Sequence, residues 1–332
     1  MTPPDTHADT SLVLTSDRKS IVNKSFTGLT TAAAAMILVV LAAVATFLLM
    51  RSWPAITDTS GELASRVSWI KPESGESLVQ IIGFLVFGTV LIATIALLIA
   101  TPLSIGIALF ISHFAPRKLA STLGYLIDLL AAIPSVVYGL WGAIVLVPAL
   151  QPFYAWLSSV LGWVPLFAPD PHTGEVSPTG RVALSAGIVL AIMVIPIITA
   201  VSREVFLQTP TLHIEAALAM GATRWEMVRM AVFPFGRSGV IGATMLGLGR
   251  ALGETMAVYM ILSVGLSYSW GVLQSGQHNT IASYIAGQFP EANRSGVSAL
   301  IAMGLALFII TLLVNMAARW IVSRKSEFSG AN

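Results

Sequence analysis

The sequence predicts an all-α, polytopic membrane protein, and three observations carry that prediction. Apolar residues make up 55% of the chain and charged residues 10%, where a soluble domain carries about 25% charged. The apolar residues gather into six segments, at about 27–50, 80–112, 123–150, 182–201, 239–265 and 297–321, and about 20 such residues cross a bilayer. The lysines and arginines between those segments fall mostly on one side.

The first segment lies behind a polar stretch, Met1 to Lys24, that holds Pro3 and Pro4. It is too long and too far from the start for a secretory signal, and Arg51 follows it, so it reads as an anchor. This gives a mobile tail at 1–25, a membrane domain at 26–325 and a short tail at 326–332. The second segment exceeds one straight crossing. Pro102 is expected to break it and leave a short surface helix. Pro134 in the third and Pro196 in the fourth each free backbone groups that neighbours or water must satisfy. Asp128 enters the third span either as a charge at a helix end or as partner to a basic residue of a neighbouring helix.

With the N-terminus inside, the inner segments hold Arg18, Lys19, Lys24, Arg117, Lys118, Arg203, Arg224, Arg229, Arg237, Arg319, Arg324 and Lys325. The outer loops hold Arg51, Arg66, Lys71, Arg181 and Arg294. This positive-inside bias puts both termini in the cytoplasm. The outer loop 51–79 carries Asp58, Glu62, Glu73 and Glu76 beside Trp53 and Trp69. The outer loop 151–181 carries Phe153, Tyr154, Trp156, Trp163 and Phe167. Such aromatics sit at the membrane–water boundary.

The inner loop 202–238 reads as two short helices around an elbow. Thr209 is placed to cap the first, with Pro210 at its first position, and Gly221 to stop it near Met220. Thr223 and Glu226 have the spacing of a capping box that starts the second, and Pro234 is expected to limit it.

The fifth segment holds a full arginine and a full glutamate, Arg250 and Glu254, inside an apolar run. On a continuous helix from Gly239, Arg250 lies about 16 Å in, near the middle of a hydrocarbon core about 30 Å thick. Spacing of i, i+4 would put Arg250 and Glu254 on one face. Gly249 and Gly253 form a step that lets another helix approach closely. The pair either neutralises itself and fixes packing, or serves an anion path. An arginine at the centre of a spanning helix costs about 2.5–3.5 kcal/mol, which favours a functional role.

Other chemistry is excluded by what the chain lacks. It has no cysteine, and its five histidines, His7, His113, His172, His213 and His278, form no i, i+4 metal pair. No hydrolase or metalloprotease motif occurs, so no catalytic or metal-ligating residue is assigned. The basic residues are dispersed and offer no nucleic-acid face; the surroundings are membrane lipid.

Glu215-Ala216-Ala217, then Gly221, then Phe233-Pro234, resembles the coupling loop of ABC importer membrane subunits. The chain departs from that pattern with Ala231 and Phe233. Arg250 to Glu254 resembles oxyanion permeases in general, and the continuation Thr255-Met256-Ala257-Val258 resembles their phosphate subfamily. So do Leu130 to Gly142 and Thr280-Ile281-Ala282-Ser283. The resemblance covers about residues 75–325. It implies six helices of the MetI-like permease type, with Glu215, Ala216, Ala217, Gly221 and Pro234 meeting an ATPase and Arg250, Glu254 and Thr255 on the substrate path. It implies a heterodimer with a paralogous, PstA-like permease subunit, two PstB-like ATPases that use ATP and Mg, and a PstS-like phosphate-binding protein outside. The chain itself is expected to bind no cofactor and to be no enzyme, because no lysine follows a glycine and a P-loop needs that pair. A sulfate or molybdate permease, and the paralogous subunit itself, are the alternatives within the family. Outside it stands a gradient-driven transporter, for which the sequence offers no clear internal repeat.

Overall fold

The computed structural model describes residues 9–57, 67, 77–171 and 173–326. Among these, the secondary structure is helical apart from one isolated bridge between Val182 and Ser275. Six helical runs are long and apolar enough to cross a membrane: Lys24–Ile56, Leu78–Phe114, Ser135–Leu161, Ala183–Leu207, Arg224–Leu252 and Arg294–Trp320. The chain divides into two units, Met1–Arg51 and Ser52–Asn332. The described residues of the first belong to one helix, α1 (Asp9–Ile56). Part of the expected tail is thus helical. Asp58, Glu62, Trp69, Glu73, Glu76 and His172 lie outside the described residues.

In the second unit, α2 (Leu78–Leu109) starts at a capping box formed by Ser77 and Gln80. Pro102 does not break it. A lone proline is tolerated in a spanning helix whose freed carbonyl finds another partner or a local adjustment. The surface helix does exist, but it is α3 (Arg117–Ala131), set off by Pro116. Its Leu119, Leu126 and Leu129 are exposed on one face and its Gly124 and Ile127 are buried on another.

Pro134 begins the third span and does not kink it. The span runs as α4 (Ser135–Trp141), a π-helical turn at Gly142–Leu146, and α5 (Val147–Leu161). It therefore sits one surface helix later than the hydropathy suggests, because α3 is apolar enough on one face to blend into the run. Phe153, Tyr154 and Trp156 accordingly belong to the span and not to the outer loop. Tyr154 is buried, with its hydroxyl 2.7 Å from Ser185 Oγ, which in turn donates to Gly180 O at 2.6 Å.

The centre of the unit is α6 (Ala183–Leu207), whose Val189, Leu190, Ala191, Met193, Val194 and Ile198 are all buried. Ala93, Ala96 and Ala100 of α2 recur at helical spacing and are fully buried against it. Small residues of this kind let two membrane helices close to van der Waals contact. Across the same interface Ser104 donates to Ile195 O at 3.2 Å, one residue before Pro196, and α6 continues through that proline.

The inner loop begins with α7 (Thr211–Ala219). Gly221 has φ +84°, with Gly221 N–H bonded to Leu218 O and Ala222 N–H to Ala217 O. That pairing closes the helix as the elbow reading requires. Thr209 does not cap it: Pro210 takes the cap position, and the buried Thr209 hydroxyl has no hydrogen-bond partner among the described residues. Thr223 and Glu226 form the expected box at the start of α8 (Arg224–Met227), with Thr223 N–H donating to Glu226 Oε2 at 2.8 Å. Pro234 does not end that helix. A π-helical turn at Val228–Val232 shifts the hydrogen-bond register just before the proline, and the chain runs on into α9 (Phe233–Leu252).

After α9 come a short helix α10 (Met256–Ile261), an extended loop, α11 (Ile281–Gln288) and the last long helix α12 (Arg294–Ser326). The loop folds onto the core. Val272 and Leu273 are buried, and Val272 bonds Leu166 and Leu184 through its backbone. Thr280 caps α11, whose Ile281 N–H donates to the Thr89 hydroxyl of α2 at 3.0 Å.

Candidate functional site

The fifth apolar segment is not one helix. It stops at Leu252, turns at Gly253 and restarts at Met256. Arg250 occupies the last turn of α9, where a cation meets the partial negative charge of the helix end. Glu254 falls in the break and is buried. Its Oε1 accepts the Ala257 N–H at 3.1 Å and so ties the start of α10. Thr255 donates its hydroxyl to Gly253 O at 3.2 Å.

The expected juxtaposition of Arg250 and Glu254 on one helical face therefore does not occur. Loss of helix at Gly253 swings the carboxylate to a backbone amide. Arg250 is left with a buried Nε that has no hydrogen-bond partner among the described residues. On α4 the Tyr138 hydroxyl donates to Leu130 O at 2.9 Å.

Two glycines of α4 and its π turn hold the short helix in place. A Cβ on Gly139 would stand 2.7 Å from Ala257 Cα and 3.3 Å from Met260 Sδ. A Cβ on Gly142 would stand 3.1 Å from Ile261 Cδ1 of α10 and 2.8 Å from Val189 Cγ2 of α6. These glycines lie in the Leu130 to Gly142 stretch, so that stretch supplies the bed for α10. From the other side, Arg181 closes the end of α10: its Nη2 donates to Met260 O at 2.7 Å and its Nε to Ile261 O at 3.3 Å. In the sequence Arg181 reads only as an outer-loop charge. Its local signal is weak, because the carbonyls it caps lie some eighty residues away.

The glycines of α9 divide into two faces. Gly236 and Gly247 meet α6, where added Cβ atoms would come within 2.7 Å of Phe206 Cδ1 and Ile198 Cδ1. Gly249 meets nothing within 4 Å, and Gly253 meets only Gly249 O at 3.6 Å. So the Gly249 and Gly253 step packs against no helix among the described residues of this chain. It continues the helical row Gly242, Leu246, Gly249, which the chain leaves exposed.

At the elbow, Glu215, Ala216, Gly221 and Pro234 are exposed and Ala217 is half-buried. Around them Leu212, Met220 and Trp225 are also exposed. Beneath, Phe206, Met227, Val228 and Val232 form a small buried cluster that anchors the elbow to α6 and α9.

Six membrane helices, a buried charged break in the fifth and an exposed helical elbow before it define a membrane permease subunit. The sequence profile described as "Binding-protein-dependent transport system inner membrane component" matches residues 100–327. The chain belongs to that family. It is 45% identical over 299 residues to the phosphate transport system permease protein PstC 2 of Mycobacterium tuberculosis, covering 89% of this chain and 90% of that one. It is 38% identical over 322 residues to the PstC of Mesorhizobium japonicum, covering 95% and 94%. Among solved structures, a chain of the MetNI methionine ABC transporter in inward-facing conformations matches with a TM-score of 0.50 and 18% identity, covering 74% of this chain and 96% of that one. That likeness carries the MetI-like fold expected from the sequence.

Proposed function

We propose that this chain is the PstC-type membrane subunit of an ATP-driven phosphate importer. The observation that carries the reading is the near full-length similarity to phosphate permeases, joined to a half-buried arginine with an unpartnered, buried Nε at a helix break in the fifth span. The arginine fork matches phosphate oxygens through two parallel hydrogen bonds. An Nε without a partner is a donor held ready for such a ligand. Glu254 positions the backbone of the break, and Thr255 lies beside it on the same path. A protonated phosphate oxygen can donate to a carboxylate, which fully ionised sulfate cannot do.

The exposed face with Gly249 and Gly253 is suited to the corresponding helix of a PstA-like subunit, so that the path forms between the two. Glu215, Ala216, Ala217, Gly221 and Pro234 form the surface for a PstB-like ATPase, which brings ATP and Mg; this chain supplies no ATP site. A PstS-like protein delivers phosphate from outside. Both termini face the cytoplasm.

Uptake of labelled phosphate by cells carrying Arg250→Gln tests the path. Uptake is expected to fall to background while the subunits still co-purify, with unlabelled sulfate failing to compete in the unmodified transporter. Uptake near normal in Arg250→Gln refutes the role given to Arg250. Competition by sulfate or molybdate refutes the assignment to phosphate.

A further inference from the structure

We propose that the cleft between α3 and the end of α6 that leads into the elbow is a second site for a phosphate group, apart from the break in the fifth span. The cleft encloses about 600 Å³. On α3, Arg117, Ser121, Gly124 and Asp128 follow one another at steps of three and four, so they share one face, and that face lines the cleft. From the opposite wall Arg203 of α6 reaches in. Its guanidinium lies directly on Gly124, where any side chain would collide with Nη1. Glycine at 124 is what lets the arginine reach this far.

Arg203 has no charge partner among the described residues. Its Nε is buried without a hydrogen-bond partner, and it makes no ion pair among the described residues, although Asp128 lines the same cleft. Arg203 is half-buried, an arginine stays charged at any physiological pH, and an enclosed N–H donor without a partner is costly. Arg117 and Gly124 are two turns apart, about 10 Å along α3. Both arginines line the one cleft, with the small side chains of Ala120 and Ser121 between Arg117 and Gly124. One tetrahedral oxyanion can take a fork from each side, whereas a planar carboxylate fills one fork. Asp128 lies one turn beyond Gly124, about 6 Å on, and repels an anion from that end. Two arginines and one carboxylate leave the cleft with a net positive charge.

The phosphate group has two available sources. Leu119, Leu126 and Leu129 are exposed on the opposite face of α3, as on a helix lying at a lipid surface. The cleft is thus open both to a phospholipid headgroup and to free phosphate on the inner side.

The test uses the full-length chain co-expressed with its partner subunits and placed in nanodiscs. In discs of phosphatidylcholine alone, binding of labelled inorganic phosphate is measured in an Arg250→Gln background. In discs that also contain phosphatidylglycerol, native mass spectrometry counts the phosphatidylglycerol retained. Arg203→Gln is expected to weaken one of the two about tenfold or more, as for loss of hydrogen bonds to a charged group. Ala120→Phe fills the cleft with both arginines intact and is expected to do the same. Arg203→Lys keeps the charge without the fork and should fall between. Loss in the first measurement identifies free phosphate, and loss in the second identifies the headgroup. If both variants melt like the unmodified complex and neither measurement changes, the inference is overturned.

Discussion

Gly139→Ala isolates how tightly the break in the fifth span is held. The new methyl carbon would lie 2.7 Å from Ala257 Cα and 3.3 Å from Ala257 Cβ. Two carbons rest at about 3.5–4.0 Å, so α10 has to retreat by about 1 Å. The contact is with backbone, which a rotamer change cannot relieve, and Ala257 is fully buried. Overpacking of this kind costs about 1–3 kcal/mol. At about 2–4 °C per kcal/mol for a chain of this size, the melting temperature should drop by about 2–12 °C. The assay is thermal unfolding in detergent, with Gly249→Ala alongside, because a Cβ at Gly249 meets nothing within 4 Å. Phosphate uptake should fall with Gly139→Ala, since α10 carries the residues that Glu254 ties. A Gly139→Ala variant that melts with the unmodified chain, or a Gly249→Ala variant that loses as much in isolation, would refute the reasoning.

Three further outcomes are expected. Gly221→Asp places a side chain at φ +84°, which costs about 1–2 kcal/mol, and adds a charge to the elbow; the ATPase should no longer co-purify, and its retention would count against the elbow. Tyr154→Phe removes the 2.7 Å contact with Ser185 and should cost about 1 kcal/mol by denaturant or thermal unfolding; a neutral result would mean that Ser185 is satisfied by Gly180 alone. His278, outside the spans, is held below its ordinary value of 6.5, chiefly by burial and against the Ser269 carbonyl hydrogen bond. The unfolded chain then binds the extra proton more readily, so stability is full above 6.5 and declines as pH falls toward the depressed value. His278→Gln should flatten that decline in melting curves taken between neutral and mildly acid pH.

The count of spans was legible because each carries a long apolar run. So was the elbow, where Gly221 and the Thr223 and Glu226 pair are local signals whose partners lie within five residues. The boundaries of the third span were not, since α3 is amphipathic and hydropathy averages over its faces. The break after Leu252 was hidden for a related reason. Every residue from Ala251 to Ile261 except Glu254 suits a membrane helix, and what unwinds the chain is the bed at Gly139 and Gly142 together with Arg181, all distant in sequence. The proline readings failed in one direction. Pro102 is expected to break its helix and Pro234 to limit the second elbow helix, yet helices pass through both, because membrane helices have neighbours and register shifts that absorb a missing donor.

The π-helical turn at Val228–Val232 has a mechanical consequence. It splices α8 to α9 without a joint, so that Arg224–Leu252 is one helical rod of 29 residues, about 43 Å long. One tip stands next to the elbow and the other carries Arg250. A rod of this kind would carry a displacement of the elbow along its length as a pushrod does, and the first turn in its way is Gly253, where the helix ends.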